Sequence, residues 1–246
     1  MQSYGLSHKG YIRKVNQDAF FHQDTSIGPL SNLYVLADGM GGHRGGEVAS
    51  KLAVDTIIQS IQKAKDSMEP AQILEQAISD ANQRIFNEAI EDSTLYNMGT
   101  TVIASCMIDR KIYVAHVGDS RFYVYINNRL EQITKDHSYV QELVDVGAIT
   151  AEEAKHHPQK NQITRAVGIN ATIQVDIYTI DLDTIDNVIE YILICTDGLT
   201  NMVSELEIMQ VIKEQKSNRD ICEKLIEDAL SAGGTDNITC IIIQNN

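Results

Sequence analysis

The chain has 246 residues, 34 of them acidic and 20 basic, for a formal net charge of −14. That length suits one large domain or two small ones with a sizeable core, and 43% apolar against 22% charged residues is the balance of a globular protein. The acidic excess argues against a nucleic-acid binder, which needs a basic stripe, and disfavours anionic lipid, whereas it suits a protein that collects cations.

No apolar stretch approaches the roughly 20 residues that span a bilayer. Residues 1–9 lack the apolar core of a secretory signal, so neither membrane nor export is expected. Cys106, Cys195, Cys222 and Cys240 are scattered with no Cys-x-x-Cys spacing, which fits reduced thiols and a cytoplasmic setting.

In chain order, Leu33-Tyr34-Val35-Leu36-Ala37 reads as a buried strand. A helix is predicted over 47–64, with Val54, Ile57, Ile58 and Ile61 on one face. A second follows over 70–92, with Leu74, Ala77, Ile78, Ala81 and Ile85 aligned and Pro70 in its first turn. Strands at 100–108, 111–117, 120–126 and 129–133 are separated by Asp109-Arg110, Gly118-Asp119 and Asn127-Asn128, which predicts an antiparallel meander. The stretch 138–168 departs from this rhythm, with a helix-like 140–146, an acidic 151–155 and a polar 156–162. It reads as a surface flap. Strands at 174–179, 190–195 and 238–243 and helices at 205–213 and 219–231 complete the chain. Strands in runs and helices in pairs predict an α+β fold, two packed sheets with helices outside.

Apolar strands that end abruptly in aspartate recur. Leu33–Ala37 runs into Asp38-Gly39, 191–196 into Asp197-Gly198, and Ala115-His116-Val117-Gly118 into Asp119. Asp236-Asn237 precedes the last strand. A single Asp-Gly is most simply a hairpin turn. Here, however, Asp38-Gly39 opens a glycine-rich loop and helix, and Asp197-Gly198 also leads into a helix. Carboxylates converging at strand ends repel unless a cation neutralises them, and oxygen donors suit Mg²⁺ or Mn²⁺. Zinc has no support, because His-Glu-x-x-His is absent. The loop Gly39-Met40-Gly41-Gly42-His43-Arg44-Gly45-Gly46 fits neither nucleotide-binding spacing, since Glu47 follows Gly46 and Arg44 stands where a dinucleotide loop needs glycine. Arg13, five residues before Asp18, offers a planar fork for a phosphate, although a solvated surface arginine reads the same way.

Together these residues resemble the PPM (type 2C) family of metal-dependent serine/threonine protein phosphatases, in its bacterial single-domain form. The matching motifs are Arg13-x-x-Asn16-Gln17-Asp18, Ala37-Asp38-Gly39-Met40-Gly41-Gly42-His43, Met98-Gly99-Thr100-Thr101 and Val117-Gly118-Asp119-Ser120-Arg121. They continue with Asp136-His137-Ser138, His157-Pro158-x-x-Asn161-x-Ile163-Thr164-Arg165, Thr196-Asp197-Gly198-Leu199-Thr200 and Gly234-Thr235-Asp236-Asn237-Ile238.

The resemblance implies one domain over 1–246, folded as a four-layer α-β-β-α sandwich with a flap at 138–168. It implies hydrolysis of phosphoserine and phosphothreonine in proteins by a hydroxide held between two Mg²⁺ or Mn²⁺ ions. Asp38 would bridge the ions, with the Gly39 carbonyl on one and Asp197 and Asp236 on the other. Asp119, with Asp197, would hold a weaker third ion. Asp18 would hold water beside the ions, and Arg13 would clamp the phosphate. Met40 stands where eukaryotic members carry a histidine, which leaves His43 as the nearest general acid or merely a loop hydrogen bonder. Phosphoproteins, a cognate Hanks-type kinase and a monomeric state are the implied partners and form.

Three rival readings fit the residues less well. A cysteine phosphatase needs arginine six residues after its cysteine, but Ile112, Asn201, Asp228 and Asn246 stand there. Asp181-Leu182-Asp183-Thr184-Ile185 nearly matches an aspartyl phosphatase, yet too little chain follows it. A non-catalytic phosphoprotein-binding module on the same fold would normally lose metal ligands, and this sequence keeps them.

Overall fold

The computed structural model describes residues 1–42, 44–184 and 188–245. Its strands are β1 (Gln2–His8), β2 (Asp18–Gln23), β3 (Leu33–Met40), β4 (Gly99–Thr100), β5 (Val102–Ile108), β6 (Lys111–Val117), β7 (Arg121–Ile126), β8 (Arg129–Gln132), β9 (Asp176–Asp181), β10 (Ile189–Cys195) and β11 (Ile238–Gln244). Its helices are α1 (Gly45–Lys63), α2 (Pro70–Glu91), α3 (Tyr139–Asp145), α4 (Ala151–Lys155), α5 (Asp197–Thr200), α6 (Glu205–Glu214) and α7 (Asn218–Ser231). One antiparallel sheet runs β2-β3-β5-β6-β9 with β4 beside β3, and the other runs β1-β11-β10-β7-β8.

Period-two alternation in the central strands dictates the layers. Along β3, Leu33, Val35 and Ala37 pack with α1 and α2, while Tyr34 and Leu36 turn to the opposite face. Along β11, Ile238, Cys240 and Ile242 pack with α6 and α7, while Ile241 and Ile243 meet Tyr34 and Leu36 between the sheets. Both faces of these strands are buried, so they read as continuous apolar runs. Each fully buried Leu or Ile contributes about 1.5–3 kcal/mol relative to exposure. The α+β sandwich expected from the sequence is therefore the observed one, with helix pairs on its two outer faces.

The meander is not. β5 and β6 belong to one sheet and β7 and β8 to the other, so Gly118-Asp119 carries the chain across the sandwich. The other two turns behave as their residues demand. Asp109 and Arg110 have φ of 49° and 59°, and Asn127 and Asn128 have φ of 51° and 57°, the left-handed pair of a tight hairpin. Gly118 instead has φ 114°, and a Cβ there would lie 2.5 Å from Thr101 side-chain carbons, so only glycine permits the crossing.

The structure also adds β1 and β2, which the sequence reading passed over. Tyr4 and Leu6 alternate with Ser3, Gly5 and Ser7 and pack beneath α7, a weak pattern typical of an edge strand. The stretch 138–168 lies outside the two sheets. It contains α3 and α4, and is closed at its base by a Ser138–Ile163 bridge. Val140 is the one buried residue of α3, and α4 buries none.

Candidate metal centre

Strand ends deliver five carboxylates to one end of the sandwich. In the β2–β3 pair Asp18 stands opposite Asp38. Cys195, at the end of β10, is registered with Cys240 near the start of β11, so Asp197 and Asp236 emerge at the same end. Asp119 enters from β6 through Gly118, whose strand partner β5 begins just after Thr101. The Thr101 N–H donates to the Asp38 carbonyl at 2.8 Å, and its Oγ1 accepts from the Asp38 N–H at 3.1 Å. Asp197 opens α5 behind Thr196. Gly198 is required there, because a Cβ would sit 1.9 Å from the Asn237 carbonyl and hold the helix off β11.

Burial first, and their mutual repulsion second, sets the electrostatics of these groups. Burial pushes the proton affinity of Asp38 well above the carboxylate range, and Asp18, Asp197, Asp119 and Asp236 push it further. Asp119 rises for the same first reason and then through Asp197 and Asp136, with Arg121 opposing. Burial raises Asp18 to about 7, against hydrogen bonds from Thr239 and Thr196. Asp197 is raised to about 6 by burial and then by Asp236. Among the described residues, no three of these side chains already close into an ion cage. Three of the five hold other partners: Asp236 pairs with Arg13 at 2.7 Å, Asp197 with Asn201 at 2.9 Å, and Asp18 Oδ2 with the Thr239 and Thr196 hydroxyls at 2.6 and 3.2 Å. Asp18 Oδ1 is buried and has no partner.

The seven described candidates, Arg13, Asp18, Asp38, Gly39, Asp119, Asp197 and Asp236, thus share one end of the sandwich. His43 lies outside the described residues. Gly39 fits by having no side chain: a Cβ would come within 2.0 Å of the Gly46 carbonyl, where the glycine loop folds back on β3.

The sequence reading assigned no role to several residues that hold this site in place. Asn237 is buried; its Oδ1 accepts from the Gln17 N–H at 2.8 Å, and its Nδ2 donates to the carbonyls of Lys9 at 2.8 Å and Val15 at 3.0 Å. One amide therefore fastens both ends of the Arg13 loop to the start of β11. Arg121 grips Asp136 through Nε and Nη2, at 3.1 and 2.8 Å, below Asp119. His137 accepts from the Gly118 N–H at 2.9 Å, and its Nε2 lies 3.1 Å from Asp176 Oδ2, which fixes the crossing that carries Asp119. The available signal was a set of polar residues at strand ends within apolar surroundings, where burial obliges them to find partners.

The described fold is thus a sandwich with helices outside and five aspartates gathered towards one end. The chain belongs to the protein phosphatase 2C family, whose pattern matches residues 7–230. It is 37% identical over 244 residues to the serine/threonine phosphatase stp of Listeria welshimeri, covering 97% of this chain and 93% of that one. It is 38% identical over 249 residues to the protein phosphatase PhpP of Streptococcus pneumoniae, covering 98% and 96%. The crystal structure of the serine/threonine phosphatase Stp1 from Staphylococcus aureus superposes with a TM-score of 0.90 at 34% identity, over 100% of this chain and 95% of that one. The catalytic domain of the phosphatase PstP, solved in complex with two manganese ions, superposes at 0.83 and 30% identity, over 98% and 96%.

Proposed function

We propose that this chain is a metal-dependent protein serine/threonine phosphatase, and that Asp38, the Gly39 carbonyl, Asp197 and Asp236 hold two divalent ions, with a third at Asp119 and Asp197. The observation that carries the reading is geometric: the strand register brings Asp18 opposite Asp38 and delivers Asp197 and Asp236 to the same end of the sandwich, where burial first and their neighbours second raise the proton affinity of Asp38, Asp119 and Asp197. The donor set fits hard divalent ions: every ligand is oxygen, and the buried Asp18 Oδ1 remains unpartnered beside them. Relatives named as serine/threonine phosphatases and a neighbour that holds two manganese ions support it.

When bound, the ions supply a water that is nucleophilic near neutral pH, together with positive charge for the phosphoryl oxygens. The chain's own residues do the rest. Arg13 spends one N–H on Asp236, so its remaining donors are available to the phosphate dianion. Asp18 Oδ1, buried and without a protein partner, would accept a hydrogen bond from the attacking water and orient it. Such a water would attack phosphorus in line as the bond to the serine or threonine oxygen breaks, and the proton the water gives up would balance the one that oxygen takes up. His43 is the candidate donor.

Mg²⁺ and Mn²⁺ both suit such a site. The natural substrates in this reading are proteins phosphorylated by a Ser/Thr kinase, and the enzyme acts as a cytoplasmic monomer. Among the described residues, no helix is long and apolar enough to cross a membrane. Phosphate release from a phosphothreonine peptide, measured in chelator and then with Mn²⁺ or Mg²⁺, tests the assignment. Release should require the ion. Equal release in chelator, or none with either ion, would contradict it.

A further inference from the structure

The stretch Lys9-Gly10-Tyr11-Ile12-Arg13-Lys14-Val15 contains three basic residues and no acid, in a chain of net charge −14. It also carries the one run of exposed large apolar side chains among the described residues, with Tyr11 66%, Ile12 69% and Val15 39% exposed. Single exposed apolar residues need no explanation, and apolar residues on a loose loop would carry little argument. This loop is not loose. Asn237 ties down both its ends, the Tyr11 N–H donates to the Gly234 carbonyl at 2.7 Å, and the Gly10 N–H donates to His8 Nδ1 at 2.9 Å. Gly10, at φ 78°, lies so close to the Asp236 segment that a Cβ would come within 2.1 Å of the Asp236 carbonyl. The fold therefore fixes an apolar and basic rim beside Asp236 and leaves its apolar side chains in water.

Arg13 stands in the middle of this rim. A substrate whose phosphate meets Arg13 runs past Ile12 and Tyr11 within one or two residues, because an extended chain advances about 3.3–3.6 Å per residue. We propose that Tyr11 and Ile12 form a specificity surface that receives an apolar side chain within about two positions of the phosphoserine or phosphothreonine. Lys9 and Lys14 oppose the net negative field of the protein and draw the phosphorylated segment to this edge. The inference rests on the phosphatase reading of the site and names the substrate class that the site reads.

The test compares two phosphothreonine peptides that differ only in flanking residues, leucine in one and serine in the other, with Mn²⁺ present. The wild type should favour the leucine peptide in kcat/KM by about 10-fold, the factor that about 1.4 kcal/mol represents. In the double variant Tyr11→Ser/Ile12→Ser that ratio should fall to about 1–2. These side chains are exposed, and the loop's backbone bonds do not depend on them. A wild-type ratio near one, or a ratio retained in the double variant, would overturn the inference. So would concentration-dependent dimerisation of the wild type that the double variant abolishes, since the surface would then serve a second copy. Release from neither peptide would overturn the phosphatase reading instead, and this inference with it.

Discussion

On one bank of the acidic end of the sandwich, residues 9–17 are fastened to the core by buried polar atoms, three of whose bonds come from Asn237 alone. The second bank, the flap, is fastened at its base. There His137 holds Gly118, Asp176 holds both His137 and Arg165, and Ser138 bridges Ile163, while α4 beyond them buries nothing. Buried hydrogen bonds are expensive to break, whereas a segment with few buried apolar contacts opens at little cost. The first bank is thus built to keep Arg13 in one place beside Asp236. The second is built to move without disturbing the strand ends that carry the carboxylates.

If the loop bank is the fixed one, Arg13→Ala should act on substrate binding. Charge-assisted contacts of this kind contribute about 1.5–3 kcal/mol, so KM for a phosphopeptide should rise about 10- to 150-fold with a smaller loss in kcat. Arg13→Lys should restore only part, because the planar fork is lost. An unchanged KM would reduce Arg13 to a partner of Asp236.

The base of the flap bank can be probed through pH. His116 is fully buried, stacks on His137 at 4.7 Å, and neither of its ring nitrogens makes a sound hydrogen bond. Burial, then His137, depresses its pKa to about 3, while Asp176 opposes and Arg165 adds to the depression. Between the ordinary histidine value near 6.5 and about 3, the unfolded chain binds the extra proton. Stability therefore falls as pH falls, by up to about 1.4 kcal/mol per pH unit. His116→Phe keeps the stack and removes the proton site, so its urea midpoint should fall less steeply between pH 6.5 and 4. Parallel curves would show that His116 is already accommodated as a cation.

The smallest effect on stability belongs to the flap itself. Replacing residues 147–161 with a short glycine-serine linker should change the unfolding free energy by less than about 1 kcal/mol, since almost nothing buried is removed. The same change should slow turnover of phosphoproteins far more than turnover of a small aryl phosphate. Equal losses on both substrates would place the flap in the chemistry rather than in substrate choice.

Much of this was legible in the chain. Helix faces such as Val54, Ile57 and Ile61 and the runs at β3, β10 and β11 declare themselves by period, and strands ending in Asp38, Asp119 and Asp197 announced the cluster. The sheet switch at Gly118-Asp119 was not legible, because a strand buried on both faces looks the same in either sheet. β1 was missed because an edge strand with two apolar residues carries little signal. Asn237 could be read as a motif residue but not as a clamp, since its partners Lys9, Val15 and Gln17 lie more than 200 residues away. Such pairings exist only after β11 has docked beside β1.

The central claim is that the fold crowds carboxylates together to hold divalent ions, at the expense of its own stability. Urea unfolding of wild type and Asp38→Asn at pH 8, in chelator and then in saturating Mn²⁺, tests it directly. In chelator the variant should be more stable, by about 1–3 kcal/mol, because one buried charge and its repulsions are gone. In Mn²⁺ the order should reverse, because the ions bind the folded wild type and stabilise it through linkage, and the variant loses that gain. A variant less stable than wild type in chelator, or a wild type unmoved by Mn²⁺, would contradict the account.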